Sequence, residues 1–581
     1  MGDNVHQVDV LVVGGGPVGL VTAYQLARFG GVSVQIIEKH PKSSQDNYGR
    51  AITLYPRSSE MLDQLGLAED LAQECFACRT GTTYDKDGKA AKGRGWSFLE
   101  NMEDTFWDFA LVLRQKYQEE IFRKHLKKLG MVLQAPSELT SISIDDTLPF
   151  GAPKITISIL DRLTSTTRTV KCKFLIGADG GRSFVRRTMS IPFEGDTSED
   201  KWVRVDGHLT TNMPSPRGYR SIESPTHGNV LWAALDHGAT RIGYAFTPER
   251  QAAYKTFDEE AAVKEAIAAC APFEVTFQKV DWYTVYAVGQ RIARSFFVNN
   301  CVFLAGDACH THSSGAAQGM NTGLHDTINL SWKLSLVLRG LALESLLYTY
   351  ESERRPNVQK LIDYDRSISE LMTMRIPESL KTWMKVEDDE DPNIVLGRVF
   401  EESRGFNTGL GISYTPNILN ISTSKEKPTT AYPLTVPPGH RLPDISLSSP
   451  GTLAPTRLYT LLPNTCTFTI ILLLPSPPAP KSYFSLHACP LTSKPNLPIR
   501  WLTIVRGKSE CPYEILDGEP LGVVAFDIEG KGLARFGIDG EKGACVVVRP
   551  DGWIGAAWEL DSGFGIGELL ERYFRDVLIG V

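Results

Sequence analysis

The sequence has no apolar run long enough to cross a bilayer. The most apolar stretch near its end, Ile470 to Leu474, is far shorter than the roughly 20 residues that a spanning helix takes. It also has no excess of positive charge. Lys and Arg number 61 against 68 Asp and Glu, a net charge of −7, and no Lys/Arg stripe carries interleaved aromatics. Nucleic acid is therefore not an expected partner. The ten cysteines are scattered without the spacing of a disulfide framework, which suits a reducing compartment. Cys75 and Cys78 have C-x-x-C spacing but no second ligand pair nearby, so packing is the expectation for them. The N-terminus enters an apolar strand almost at once, without a basic region and cleavable segment, and His6 stands where a myristoylation signal wants Ser or Thr. Together these absences predict a soluble, cytoplasmic protein with no membrane span. What the chain does have is apolar content, 42% of 581 residues, enough for full cores in about three or four domains.

The chain is organised around its first turn. Val8 to Val13 read as a buried parallel strand, apolar on both faces, that breaks into Gly14-Gly15-Gly16-Pro17-Val18-Gly19 and then becomes helical. Gly14, Gly16 and Gly19 fit the G-x-G-x-x-G spacing, which permits a tight turn, close approach of backbone to a pyrophosphate, and close packing of helix on strand. The unpaired N–H groups at the start of that helix favour phosphate. A second strand, Val32 to Ile37, ends at Glu38, about 24 residues after Gly14, where an acidic side chain should meet a ribose hydroxyl. Strand, helix, second strand and acidic residue in this order predict dinucleotide binding.

Further along, Arg50 lies in an irregular segment, where it could reach a pyrophosphate or be a solvated loop arginine. Pro56 to Leu65 reads as a helix. Leu113 to Leu129 reads as another, with Leu113, Tyr117, Ile121, Leu126 and Leu129 on one side and Arg114 and Gln115 in the first turn. Thr140 to Val170 alternates like an antiparallel meander and leads into an apolar strand ending at Asp179-Gly180. Such a junction can touch a dinucleotide, or Asp179 can simply cap the next helix. Residues 191–285 alternate apolar and polar, as an inserted β-sheet domain would. A third strand, Cys301 to Ala305, runs into Gly306-Asp307, a Gly/Ser-rich loop, and a long helix from Asn321 to Arg339 closed by Gly340. The acidic run Glu387 to Asp391 is expected to be solvated, Ile421 to Leu453 to be an interdomain connection, and residues from 456 onward to be a small α/β domain.

Three stretches, Gly14 to Gly19, Asp179-Gly180-Gly181-Arg182-Ser183, and Gly306-Asp307-Ala308-Cys309-His310-Thr311-His312, together resemble the single-component flavoprotein aromatic hydroxylases of the para-hydroxybenzoate hydroxylase fold. The longer match, from Tyr286-Ala287-Val288-Gly289-Gln290-Arg291 through Gln318-Gly319-Met320-Asn321 to Trp332-Lys333-Leu334, is similar to the phenol 2-monooxygenase branch and its polyketide-hydroxylase relatives. The resemblance implies an α/β and α+β chain. Residues 1–190 and 286–375 would form a discontinuous, Rossmann-like FAD domain and 191–285 the substrate sheet. A helical segment and linker would occupy 376–455, and a thioredoxin-like domain without redox cysteines 456–581, able to offer a homodimer surface.

The resemblance also implies FAD, with Gly14, Gly16 and Gly19 at the pyrophosphate and Glu38 at the adenosine ribose. Arg50, Arg114 and Gln115 would lie near the phosphates and ribityl chain, Asp307 at the ribityl, and Gly319, Met320 and Asn321 at the isoalloxazine. NADPH would dock transiently as co-substrate, and Asp179 would belong to a motif serving both nucleotides. The reaction implied is hydroxylation of a phenolic or polyketide substrate by O2 through a flavin C4a-hydroperoxide, in secondary metabolism. Tyr286 matches a tyrosine that hydrogen-bonds the substrate, although on residue type it could equally be a packed sheet aromatic. Ile52 stands where phenol hydroxylases carry an Asp, and Ser314 where the family has a Pro, which leaves the catalytic base unassigned. An epoxidase, a Baeyer–Villiger oxygenase or a flavin-bound, non-catalytic aromatic-binding protein are the alternatives. His310 and His312 have no third ligand at recognisable spacing, so no metal is expected.

Overall fold

The structure, a computed structural model, describes all residues except 1–5, 43–48, 50, 93, 101, 314, 316, 388, 422–433, 539 and 561–564. Arg50, Ser314 and much of the expected 421–453 connection thus lie outside the described residues.

Strand β1 (His6–Val13) turns through the glycines into α1 (Pro17–Phe29), and β2 (Val34–Ile37) follows. Val10, Leu11 and Val12 are fully buried because the sheet is covered on both faces. Helices α2 (Pro56–Gln64) and α3 (Gln115–Lys128) come next. Helix α3 starts two residues later than its periodicity suggests, with Arg114 as the N-cap, and Leu129, expected on the apolar face, is 43% exposed. The meander β3 (Ser137–Ile144) and β4 (Ile155–Asp161) leads into β5 (Thr167–Gly177). Strand β5 pairs in parallel with β1 on one side, in register Val13↔Gly177.

The second sheet is built on β6 (Phe193–Thr211), β7 (Tyr219–Ser224), β8 (Gly228–Ala234), β9 (Thr240–Phe246), helix α4 (Glu259–Ala269) packed on it, and β10 (Val275–Ala293). It is not the clean 191–285 insertion expected. Gly81–Tyr84 adds beyond β7, parallel to it, with Ala90–Ala91 paired outside it, and β10 runs on to Ala293 and pairs with His310–Thr311. A four-residue strand with no clear alternation carries too little pattern to be placed from sequence.

The chain re-enters the first sheet through β11 (Val302–Leu304), parallel to β5, and a loop leads to α5 (Gly319–Leu338) and α6 (Ser345–Met372). A third sheet follows, with β12 (Phe468–Leu474), β13 (Ile499–Arg506) and β14 (Val523–Asp527) parallel, β15 (Ala544–Val548) and β16 (Ile554–Glu559) antiparallel, and α7 (Ile566–Arg575) beside it. This unit does not stand apart. Arg549, in the turn after β15, is fully buried and donates to both oxygens of Glu353 on α6, at 2.6 and 2.9 Å, and to Asp551. Lys333 on α5 donates to the same Glu353 at 2.8 Å, and Trp332 donates to Asp551 at 3.0 Å. Burial alone would raise the Glu353 carboxyl, but Arg549 and Lys333 outweigh it and hold it below the usual range. Among the described residues no helix is long and apolar enough to cross a membrane.

Candidate functional site

The turn after β1 is shaped by what its glycines exclude. Gly14 has φ +114°, and a Cβ there would stand 2.2 Å from the Ala178 carbonyl oxygen on the turn after β5. A Cβ on Gly19 would stand 1.9 Å from the Gly14 oxygen, so α1 rests directly on the turn. A Cβ on Gly16 would meet no protein atom within 4 Å. Gly14 and Gly19 thus close the backbone and Gly16 leaves open space at the start of α1, an arrangement made for a group approaching the helix N-terminus.

That space opens into a cavity of about 1070 Å3 lying between the first and second sheets. Gly16, Pro17 and Val18 line it together with Asp307, Gly319 and Met320, and so do Ile52, Trp96 and, from the second sheet, Tyr219, Leu231 and Tyr286. Gln115 lines it as well, with its amide nitrogen donating to Glu119 at 2.8 Å. Cavities of this size hold ligands larger than an ordinary drug-sized molecule. The Glu38 carboxylate accepts from the Gly15 N–H at 2.8 Å and the His40 N–H at 2.9 Å, at the end of β2 beside the glycine turn.

Arg114, expected near the phosphates, does not line this cavity. Its guanidinium is 1% exposed and is held by Asp236, through Nε at 2.8 Å, and by Asp281 on β10 at 2.8 Å. Two carboxylates at such distances capture a buried arginine. Asn321 does not line the cavity either. Its amide donates to the Thr53 and Ala317 carbonyls and its oxygen accepts from the Tyr55 N–H and the Ser58 hydroxyl, so it pins the first turn of α5 to α2. Asp179 accepts from the Phe184 and Val185 N–H groups at 2.6 and 3.2 Å, while its other oxygen is buried with no partner among the described residues. Burial raises its carboxyl against those hydrogen bonds. It therefore caps the following segment and also keeps an unsatisfied oxygen.

Two features beneath the loop after β11 are not evident in the sequence pattern. Asp326 on α5 accepts from the Gly306 N–H, from His310 Nε2 at 2.7 Å and from Arg354 Nε at 2.8 Å. His310 and Arg354 outweigh burial and hold its carboxyl at about 2. Ligand atoms of Cys309, His310 and Asp326 lie within 4.8 Å of one another, but the carboxylate is committed to Arg354 and His310, and the cluster fastens the Asp307 loop to α5 and α6. Asp365 on α6 does the same for the next stretch of the loop, accepting from the Ser313 N–H and hydroxyl and from Gln290.

Residues 7–365 match the family model described as FAD binding domain, and 525–580 match the phenol hydroxylase C-terminal dimerisation domain. The chain belongs to this FAD-dependent monooxygenase family. A phenol 2-monooxygenase of Aspergillus fumigatus is 29% identical over 97% of this flavoprotein and 95% of its own length. A 3-hydroxybenzoate 4-monooxygenase of Comamonas testosteroni is 28% identical over 98% and 95%. Among solved structures, aklavinone-11 hydroxylase in a ternary complex with FAD and aklavinone superposes with a TM-score of 0.71 over 99% of both chains, at 22% identity, which establishes the shared fold. The flavoprotein uses FAD as its cofactor, with NADPH the co-substrate typical of the family. The glycine turn fits that cofactor in its own right: it is closed at Gly14 and Gly19 and open at Gly16, where a phosphate group can approach the start of α1.

Proposed function

We propose that this flavoprotein uses NADPH and O2 to hydroxylate a phenolic or polyketide aromatic substrate in secondary metabolism. The observation that carries this reading is that one cavity is lined both by Gly16 and Pro17 of the glycine turn and by Ile52, Trp96, Tyr219, Leu231 and Tyr286. Its relatives' names, a phenol hydroxylase and an aklavinone hydroxylase among them, support an aromatic substrate. The match at 525–580 supports a homodimer, and ten free thiols suit the cytoplasm.

In this reading Gly14, Gly16 and Gly19 admit the FAD pyrophosphate to the start of α1, and Glu38 takes the adenosine ribose. Asp307 and Gln115, both on the cavity lining, would hold the ribityl chain, and Gly319 and Met320 would meet the ring. Bound FAD supplies the oxygen-transfer chemistry once reduced. The protein's own work is to orient the aromatic ring and keep water out. Trp96 stacks on Tyr219 at 5.2 Å between centroids, and Tyr219 bonds Thr53 through its hydroxyl, which builds a rigid apolar wall around Tyr286. Tyr286 then gives or takes one hydrogen bond at the substrate hydroxyl.

The test is NADPH oxidation under air with a panel of phenols and polyketide acids. Consumption that rises with one aromatic and yields a product heavier by one oxygen supports the proposal, and a protein inert towards every member overturns it. Tyr286→Phe is expected to lower kcat/KM by about tenfold, the worth of one hydrogen bond, with FAD content unchanged.

A further inference from the structure

The two most exposed large hydrophobic side chains among the described residues lie at one place. Leu163, in the turn between β4 and β5, is 78% exposed, and Val132, between α3 and β3, is 65% exposed. Apolar residues scattered singly over a surface are ordinary, but these two line the same cleft. It holds about 340 Å3 and shares no lining residue with the large cavity described above. Leu133 lines it too, and its methyl carbons lie 2.9 and 3.1 Å from where a Cβ on Gly15 would sit, so the cleft has a wall in common with the packing around the glycine turn.

The charged part of the lining is of one sign. Lys42, which follows β2, and Arg123 and Lys127, one turn apart on α3, supply three cations, and no carboxylate lines the cleft. Glu119, 1% exposed, accepts from Lys42 Nζ at 3.0 Å, lies 3.5 Å from the Arg123 guanidinium, and also accepts from Gln115. One buried anion thus serves two of the cations, and Lys127 has no ion pair among the described residues. Two positive charges are left over in a chain whose net charge is −7. Lys42 and Arg123 are recessed, with side chains 19% and 22% exposed. Recessed cations beside bare aliphatic carbon complement a molecule with an anionic head and an apolar tail: the head takes charge-assisted hydrogen bonds, and the tail removes Val132 and Leu163 from water. A concave site of this size takes one small molecule, which favours a free ligand over a lipid surface.

We propose that this cleft binds a free amphipathic carboxylate, its head at Lys42, Arg123 and Lys127 and its aliphatic tail against Val132 and Leu163. The site stands apart from the phenolic reading, since it shares no residue with the cavity on which that reading rests.

The experiment is calorimetric titration of octanoate into the FAD-loaded protein. Octanoate should saturate one site, binding about tenfold more tightly than octanol, which lacks the charge, and than acetate, which lacks the tail. Lys127→Gln should weaken octanoate about tenfold and Leu163→Ser about fivefold, with FAD content and melting temperature unchanged because both side chains are exposed. Wild-type affinity in both variants would place octanoate elsewhere on the molecule and overturn the proposal. Octanol binding as tightly as octanoate would overturn it too, leaving a neutral apolar patch. Absence of saturable octanoate binding also overturns it, and if the protein then sediments with phosphatidylglycerol vesicles in a manner that Lys127→Gln abolishes, the occupant is a lipid surface.

Discussion

Gly19→Ala is expected to purify without FAD. A methyl group there would stand 1.9 Å from the Gly14 carbonyl oxygen, which is backbone and cannot rotate aside. Gly14 cannot yield either, since its own φ of +114° and the Ala178 oxygen at 2.2 Å from a Cβ position fix the turn. Helix α1 must therefore lift from β1, and its free N–H groups leave the place where a pyrophosphate would meet them. Loss of two or three such hydrogen bonds to a charged group amounts to several kcal/mol, or at least about a hundredfold in affinity for FAD. Gly16→Ala is the control. Its backbone φ of −79° is open to any residue and its Cβ meets no protein atom, so the variant should melt with wild type as apoprotein yet hold FAD more weakly. Flavin fluorescence titration and thermal unfolding of the two apoproteins separate the effects. Equal FAD affinity in Gly19→Ala would show that the turn does not bind the cofactor.

The second large effect lies far from the cavity. Glu353→Gln is expected to destabilise the protein by about 3–5 kcal/mol, because two fully buried cations, Arg549 and Lys333, lose their shared anion. Arg549 keeps Asp551, but among the described residues Lys333 keeps only the Asn329 oxygen as a hydrogen-bond acceptor. The pH dependence follows from the depressed carboxyl. In the unfolded chain Glu353 protonates near its ordinary 4.5, whereas in the folded protein it stays ionised below that. Its stabilisation is therefore fully present above about pH 4.5 and is lost as pH falls towards the folded value. Asp326, at about 2 against 3.8, adds to the same acid limb. Urea unfolding between about pH 3 and 7 should show wild type falling steeply in acid and Glu353→Gln starting lower and falling less. Parallel curves would mean the Glu353 pairing does not contribute.

What the sequence shows of this molecule is whatever lies within a few residues. The glycine turn, the acidic end of β2, the Asp307 loop and the helix behind it are each local patterns, and the structure forms them within a residue or two of expectation. The fate of Arg114 could not be read, since its captors Asp236 and Asp281 lie 122 and 167 positions away and nothing local distinguishes an arginine bound for a phosphate from one bound for a carboxylate. Asn321 sits in the right loop but commits its hydrogen bonds to the backbone and Ser58. The Asp365 support of Ser313 and the Glu353–Arg549 pair join segments 52 and 196 residues apart, again without local signal. The C-terminal unit reads in sequence as a small domain behind an interdomain connection; its buried charges show that α5 and α6 are incomplete without it.

Strands β6 and β10 pair along most of their length, from Phe193↔Ala293 to Thr211↔Val275, with three register shifts on the way, and the ribbon brings both Tyr286 and Arg291 to the cavity lining. A residue added at such a shift can be taken up as a bulge, whereas one added elsewhere would turn the side chains beyond it to the opposite face. Divergence toward new substrates is therefore channelled: the register is spared when side chains are exchanged at positions such as Val285, Tyr286 and Ala287, or when the hairpin of Gly81–Tyr84 and Ala90–Ala91 at the margin of the sheet is remodelled.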